Sequence, residues 1–202
     1  AIRLLASFSP HSGQGKPPMF GDFEAQRHWV EVTWNLPLQE WYVGTDTKNN
    51  DLQYWGLDYP PLTAYHAWLM GLVHHCISGV AQHLSLSGTS FAGYFTLLAS
   101  RGNEECKVFM RLSVVVADVL VYFSAAWFYA MRVLSAEKCV TAGTRIRTLA
   151  LLICMNTPLI IVDHGHFQYN CISLGLVLWA VNSIYIGRRH LGSVCYMAAV
   201  LY

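Results

Sequence analysis

Long apolar runs alternate with polar stretches along most of the chain. The clearest run is Leu112–Met131, and further runs cover Ile146–Val162, Cys171–Ile186 and the terminal Leu191–Tyr202. The first three are about long enough to cross a thin bilayer, because a helix rises about 1.5 Å per residue. Ala1–Phe8 has the pattern of the last turns of an earlier span. The pattern predicts an all-α, polytopic membrane protein whose sequence is cut at both ends.

One polar and aromatic stretch, Gly21–Pro61, differs from these runs and contains four of the seven tryptophans. Within it, Asp22–Asn35 has helical spacing with tryptophan and charge mixed, which is typical of a helix at a membrane surface. Two consecutive prolines then precede Leu62–Ser78, so the next helix is predicted there. We expect this helix to lie in the interface. The alternative is a shallow hairpin with Phe91–Ser100.

The composition supports a membrane protein and gives no indication of a nucleic-acid or zinc partner. The chain has 202 residues, of which 54% are apolar and 12% are charged. Soluble domains carry about 25% charged residues. The net charge of +1 gives no indication of a nucleic-acid partner. The six cysteines form no CxxC pair, so we expect no zinc site.

Basic residues predict the orientation of the spans. The densest basic segment, Met131–Arg147, is expected on the cytoplasmic side. Alternating spans then bring Gly21–Lys107 and Asp163–Asn170 to the opposite face, where the two polar stretches can converge on one cleft. The predicted parts are the end of a first span (1–8), a long loop with interfacial helices (9–110) and further spans (111–202) enclosing a polar motif (163–170).

Two acids in the polar stretch are candidates for a general base, the group that takes a proton from an attacking hydroxyl. Asp22 lies near a predicted helix start between Phe20 and Phe23. Its alternative role is a helix N-cap. Asp58 precedes Tyr-Pro-Pro, where an aspartate also commonly stabilises a turn.

Cationic and aromatic side chains nearby suggest contacts with a ligand. Arg27 and His28 can hold a phosphate through charge-assisted hydrogen bonds, or can form a snorkelling pair at the interface. Trp55 and its tyrosine neighbours, Tyr54 and Tyr59, can stack on a sugar or anchor the chain at headgroup level.

A second polar cluster lies at the predicted end of a span. Asp163, His164 and His166 resemble a metal cluster, but their spacing matches no known ligand arrangement, and Gln168 adds an amide. Asp118 is an acid inside a span. Such residues favour a functional interpretation, although a buried hydrogen bond to another helix is an equal alternative.

Four motifs together resemble one family closely. They are GDFEAQRHW from Gly21, YWGLDYPPLTAYH from Tyr54, KVFMR from Lys107 and DHGHFQYN from Asp163. The chain is similar, from about Gly13 onward, to endoplasmic-reticulum glucosyltransferases that use dolichyl phosphate glucose. The forms of the first and last motifs match the members that add the first glucose to the lipid-linked N-glycan precursor.

The resemblance implies a membrane glycosyltransferase of the GT-C fold, with a long lumenal loop that carries the catalytic acid at the position of Asp22. It implies transfer of glucose from dolichyl phosphate to the terminal mannose of a dolichol-diphosphate-linked oligosaccharide. The α-1,3 bond would form with inversion, without a metal or other cofactor. The residues expected to bind the substrates are Arg27, His28, Trp55, Asp58, Tyr59, Asp163, His164, His166 and Gln168.

Three alternatives accompany this interpretation. The chain can belong to the related enzyme that adds the second glucose, or it can be an inactive membrane fragment, since complete members of the family are longer. A transporter fragment is less favoured. It requires discontinuous helices around several midplane acids, and Asp118 is the single candidate.

A disulfide is a further hypothesis that follows from the predicted topology. Cys76 and Cys106 are the cysteines placed in the oxidising lumen. A bridge between them would stabilise the fold by about 3–4 kcal/mol in the chain-entropy model.

Overall fold

The structure is a computed structural model in which residues 1–44, 50–78, 104–137, 139–154 and 156–202 are described. Every regular element in these ranges is helical and none is a strand, which confirms the predicted all-α class. The chain divides into a loop unit, His11–Ser113, and a span unit, which joins Ala1–Pro10 to Val114–Tyr202. Phe91–Ser100, the alternative hairpin partner, lies outside the described residues.

The helices follow one another in the order of the chain. They are α1 (Ile2–Ser7), α2 (Asp22–Asn35), α3 (Pro61–Ser78), α4 (Glu104–Ala117), α5 (Ser124–Phe128), α6 (Leu134–Ala136), α7 (Ala142–Cys154), α8 (Thr157–Leu159), α9 (Asn170–Tyr185) and α10 (Arg189–Val200). A 3₁₀ turn covers Leu38–Glu40. Three segments are π-helical: Asp118–Phe123, Tyr129–Val133 and Ile160–Phe167.

Helices α2 and α3 form the core of the loop unit. Their buried side chains include Trp29 and Val32 from α2, and Ala64 and Ala67 from α3. The α2 helix has the predicted bounds. The α3 helix begins one residue earlier than predicted, at Pro61, because proline suits the first turn of a helix.

Two helical stretches, Lys107–Ala136 and Ala142–Phe167, are long and apolar enough to cross a membrane. In the most apolar 18-residue segment of each stretch, only 33% and 19% of the segment is buried. A core helix of a soluble protein would be mostly buried, whereas here large side chains such as Leu120 and Trp127 are exposed. This exposure suits contact with lipid.

The DHGHFQYN motif corrects one expectation. The sequence predicts that the span ends at Val162, before the polar motif, but the π-helical segment continues through Phe167. Phe167 ends it with a φ of 90° and a fully buried ring. Only Gln168 and Tyr169 separate it from α9, because the Asp163 carboxylate binds the first backbone N–H groups of that helix.

The predicted bridge between Cys76 and Cys106 is wrong for this structure, in which Cys76 carries a free, exposed thiol. The side chain of Cys106 lies outside the described residues. The prediction of this bridge rests only on the compartment predicted for the two cysteines. Compartment does not fix the separation that a disulfide requires.

Candidate active site

Asp22 is the first residue of α2, and two glycines fix the backbone in front of it. Gly21 has a φ of 77°, and a Cβ on it would lie 2.3 Å from the carbonyl oxygen of Ser12. A Cβ on Gly13 would lie 2.4 Å from the nitrogen of Gly21. The N-cap is Gly21, so the capping role considered for Asp22 does not apply.

The charges of Asp22 and Asp58 both act on the phenol of Tyr59, and we call these three residues the acid cluster. Partial burial, and then the negative charges of Asp58 and Asp22, raise the pKa of the Tyr59 phenol. The Tyr59 ring also packs against Trp29 of α2, with ring centroids 5.0 Å apart. Both candidate bases therefore act electrostatically on one phenol, which packs against α2.

Trp55 is held from both sides beside the acid cluster. Its indole N–H donates to the Met19 carbonyl at 2.6 Å, and its own carbonyl accepts from the Trp29 indole at 2.9 Å. Its φ is 50°, in the left-handed region that bulky residues rarely adopt. The predicted sugar platform is thus rigidly positioned between α2 and the segment that precedes it.

Arg27 lies in a buried ion-pair network. Its guanidinium donates two hydrogen bonds to Glu24, at 2.7 and 2.8 Å, and a third to Glu31 at 2.9 Å. Burial alone would lower its pKa, but the two carboxylates raise it above the ordinary value. Burial raises the pKa of Glu31 against the opposing effect of Arg27. The geometry gives Arg27 protein partners, while its predicted contact with phosphate stays a prediction.

His28 is fully buried beside Arg27. Its ring meets Tyr54 edge-on, with centroids 5.4 Å apart. Burial and then the charge of Arg27 lower the pKa of His28 to about 3. The imidazole is therefore uncharged at neutral pH, which does not favour the predicted contact with phosphate.

In the span unit, Asp118 is buried in an ion pair. Its carboxylate lies 3.0 Å from the Arg3 guanidinium and 3.2 Å from Nε2 of His164. The guanidinium also donates to the Ile153 carbonyl and lies 5.0 Å from the Phe123 ring centroid. Of the two alternatives for Asp118, the structure shows the buried contact with other helices.

Asp163 is fully buried and acts as a cap for α9. One oxygen accepts from the backbone and side-chain nitrogens of Asn170, and the other accepts from the Cys171 nitrogen at 2.7 Å. Asn170 also donates to the Gln168 amide oxygen at 2.8 Å. His166 is exposed. No group of three His, Cys, Asp or Glu side chains in the described ranges is arranged to hold a metal ion.

A family model described as "ALG6, ALG8 glycosyltransferase family" matches residues 1–202 of the chain. The chain belongs to this family. The match covers all four motifs, and therefore both the acid cluster and the π-helical DHGHFQYN segment.

Two relatives of the chain have the same enzyme name. The chain is 43% identical to the dolichyl pyrophosphate Man9GlcNAc2 alpha-1,3-glucosyltransferase of Gallus gallus and 38% identical to that of Saccharomyces cerevisiae. Both alignments cover 100% of the chain, but only 36% and 34% of the relatives. The chain thus spans about a third of the length of these family members.

Sequence reasoning missed three charged residues of these networks. Glu24 and Glu31 lie three residues before and four residues after Arg27, a spacing that brings side chains together on a helix and was readable from the sequence. Arg3 lies in an apolar run, where an unexplained charge indicates a buried partner. No local signal linked Arg3 to Asp118, because only the fold brings them together.

Proposed function

We propose that this chain forms part of an inverting glucosyltransferase of the endoplasmic-reticulum membrane with a GT-C fold. Its donor is dolichyl phosphate glucose. Its acceptor is the terminal mannose of a dolichol-diphosphate-linked oligosaccharide, and the new bond is α-1,3. Family membership and the names of the relatives support the reaction class. The observation that carries the site is the fixed backbone at Asp22, whose charge acts together with that of Asp58 on the Tyr59 phenol.

Asp22 is the proposed general base. It takes the proton from the attacking mannose hydroxyl as the new carbon–oxygen bond forms, and the bond between glucose and phosphate breaks. A β-linked donor gives an α-linked product in one displacement. The dolichyl phosphate leaves as a stable anion, so a strong general acid is not required.

The position of Asp22 suits this task. The residue is half-buried at the start of α2, and the close approach of Gly13 and Gly21 fixes its backbone. Asp58 lies beside the same phenol and is exposed, so it can orient a substrate hydroxyl. The backbone therefore holds the base in place before substrate binds, which is the condition for efficient proton transfer.

The test is transfer of radiolabelled glucose by the protein expressed from its full-length gene and purified in detergent. The donor is dolichyl phosphate glucose and the acceptor is lipid-linked Man9GlcNAc2. We expect one added hexose and an unchanged rate after chelation of metal ions. Transfer only to an acceptor that already carries one glucose would instead identify the enzyme for the second glucose. No transfer to either acceptor contradicts the proposal.

Two exposed cysteines test the proposed multi-pass topology. Cys139 belongs to the basic segment that we place in the cytosol, and Cys76 lies in the last turn of α3, which we place on the lumenal side. In sealed microsomes, a membrane-impermeant maleimide is expected to label Cys139 and to reach Cys76 only after detergent is added. The variants Cys139→Ser and Cys76→Ser identify each signal. Labelling of Cys76 alone in sealed vesicles would reverse the orientation.

A further inference from the structure

The loop unit contains a cavity of about 380 Å³ beside the acid cluster. Its lining includes Met19, Tyr42, Leu52, Gln53, Trp55 and Asp58. The volume lies near the lower end of the about 300–1,000 Å³ found for small-molecule sites. We propose that this cavity is a binding subsite for one neutral pyranose unit of a substrate. The inference rests on the proposed function and extends it to Tyr42 and Gln53, which the sequence did not indicate.

The lining matches the two sides of a sugar ring. A pyranose presents an apolar face of C–H groups and an edge of hydroxyls. Trp55 and Tyr42 supply aromatic surface for the face. For the edge, Asp58 accepts hydrogen bonds, and Gln53 both donates and accepts them. None of the described lining residues is basic, which favours a neutral sugar over a phosphate.

The aromatic part of the cavity is organised before any ligand binds. Trp55 holds a left-handed backbone conformation, and hydrogen bonds to Met19 and from Trp29 fix it at both ends. The Tyr42 hydroxyl donates to the Tyr59 carbonyl at 2.9 Å. A bulky residue persists in such a conformation only where its surroundings determine it, and these outliers concentrate at functional sites. A fixed platform also lowers the entropy lost on binding.

The cavity lies beside the proposed chemistry. Asp58 lines it, and the charges of Asp58 and of Asp22, the proposed base, both act on the phenol of Tyr59. A pyranose in the cavity would therefore lie near the base. Both the acceptor mannose and the donor glucose have the chemistry that the lining recognises, and the experiment separates them.

The decisive variant is Gln53→Ala, because Gln53 is exposed and its truncation leaves the core intact. Gln39→Ala is the matched control, since Gln39 is an exposed glutamine of the same unit outside the cavity lining. Trp55→Leu is a second variant, whose folding is checked by thermal melting. Calorimetry on the protein from the full-length gene measures binding of Man9GlcNAc2 glycan and, separately, of dolichyl phosphate glucose.

We expect Gln53→Ala to weaken binding of one ligand about 3- to 10-fold, the effect of one lost hydrogen bond. Gln39→Ala should leave both affinities unchanged. Weaker glycan binding assigns the subsite to the acceptor, and weaker donor binding assigns it to glucose. Unchanged affinity for both ligands, or an equal loss in the control, overturns the subsite. Glucose transfer is measured in parallel, so failure of the wild-type protein to transfer is a separate result that contradicts the proposed function.

Discussion

Replacement of Asp22 by asparagine is expected to remove most glucose transfer and to leave the protein folded in the membrane. Asparagine has nearly the same shape but cannot take the proton of the attacking hydroxyl. Loss of a positioned general base typically lowers a rate about 10²- to 10⁴-fold. The start of α2 should survive, because Gly21 is the cap and the close backbone contacts belong to the two glycines. Initial rates and melting temperature of the protein from the full-length gene provide the check.

Two isosteric variants in the same unit control this experiment. Asp51→Asn changes an exposed acid outside the acid cluster, and its rate should equal that of wild type. Asp58→Asn should act mainly on substrate KM, because Asp58 lines the cavity and is proposed to orient a hydroxyl. If Asp58→Asn loses transfer and Asp22→Asn retains it, Asp58 is the base.

The apolar and helical patterns predicted the elements well. The range of α2 was predicted in full, and α9 begins one residue before the predicted span at Cys171. Periodicity reports local geometry, so helices of regular composition can be predicted from it. The predicted span ended at Val162, before DHGHFQYN, because the residues of this motif are polar. A polar segment can remain helical where buried partners satisfy it, as Asp118 does for His164.

The candidate site was predicted in part. The long motifs identified Asp22, Asp58 and Tyr59 individually, and in the structure the charges of both acids act on the Tyr59 phenol. The spacing of Glu24 and Glu31 around Arg27 was readable from the sequence, but the burial of His28 was not, because one sequence does not show which side of a mixed helix is buried. Trp55 was predicted as a sugar platform, but the cavity that joins it to Tyr42 and Gln53 was not, since a left-handed conformation at a tryptophan has no local signal. The predicted convergence of Gly21–Pro61 with Asp163–Asn170 stays a prediction.

Arg27→Gln is expected to destabilise the loop unit strongly. Arg27 is 5% exposed, and Glu24 and Glu31 are 5% and 1% exposed. Removal of the guanidinium leaves two buried carboxylates without their cation, and breaking such a pair costs about 3–5 kcal/mol. The network also holds Tyr54, whose hydroxyl donates to Glu24 at 3.1 Å in the segment next to Trp55. Melting temperature and protease resistance of the protein from the full-length gene measure the loss.

Two further variants separate this structural role from the predicted contact with phosphate. Lys16→Gln removes an exposed cation of the same unit and should not change stability. Adding Glu24→Gln and Glu31→Gln to Arg27→Gln removes the uncompensated charges and should restore much of the stability. A phosphate-binding arginine would behave differently, because its loss would raise the KM for dolichyl phosphate glucose at unchanged melting temperature. That result would show that Arg27 binds the donor and that its ion pairs with Glu24 and Glu31 contribute little to stability.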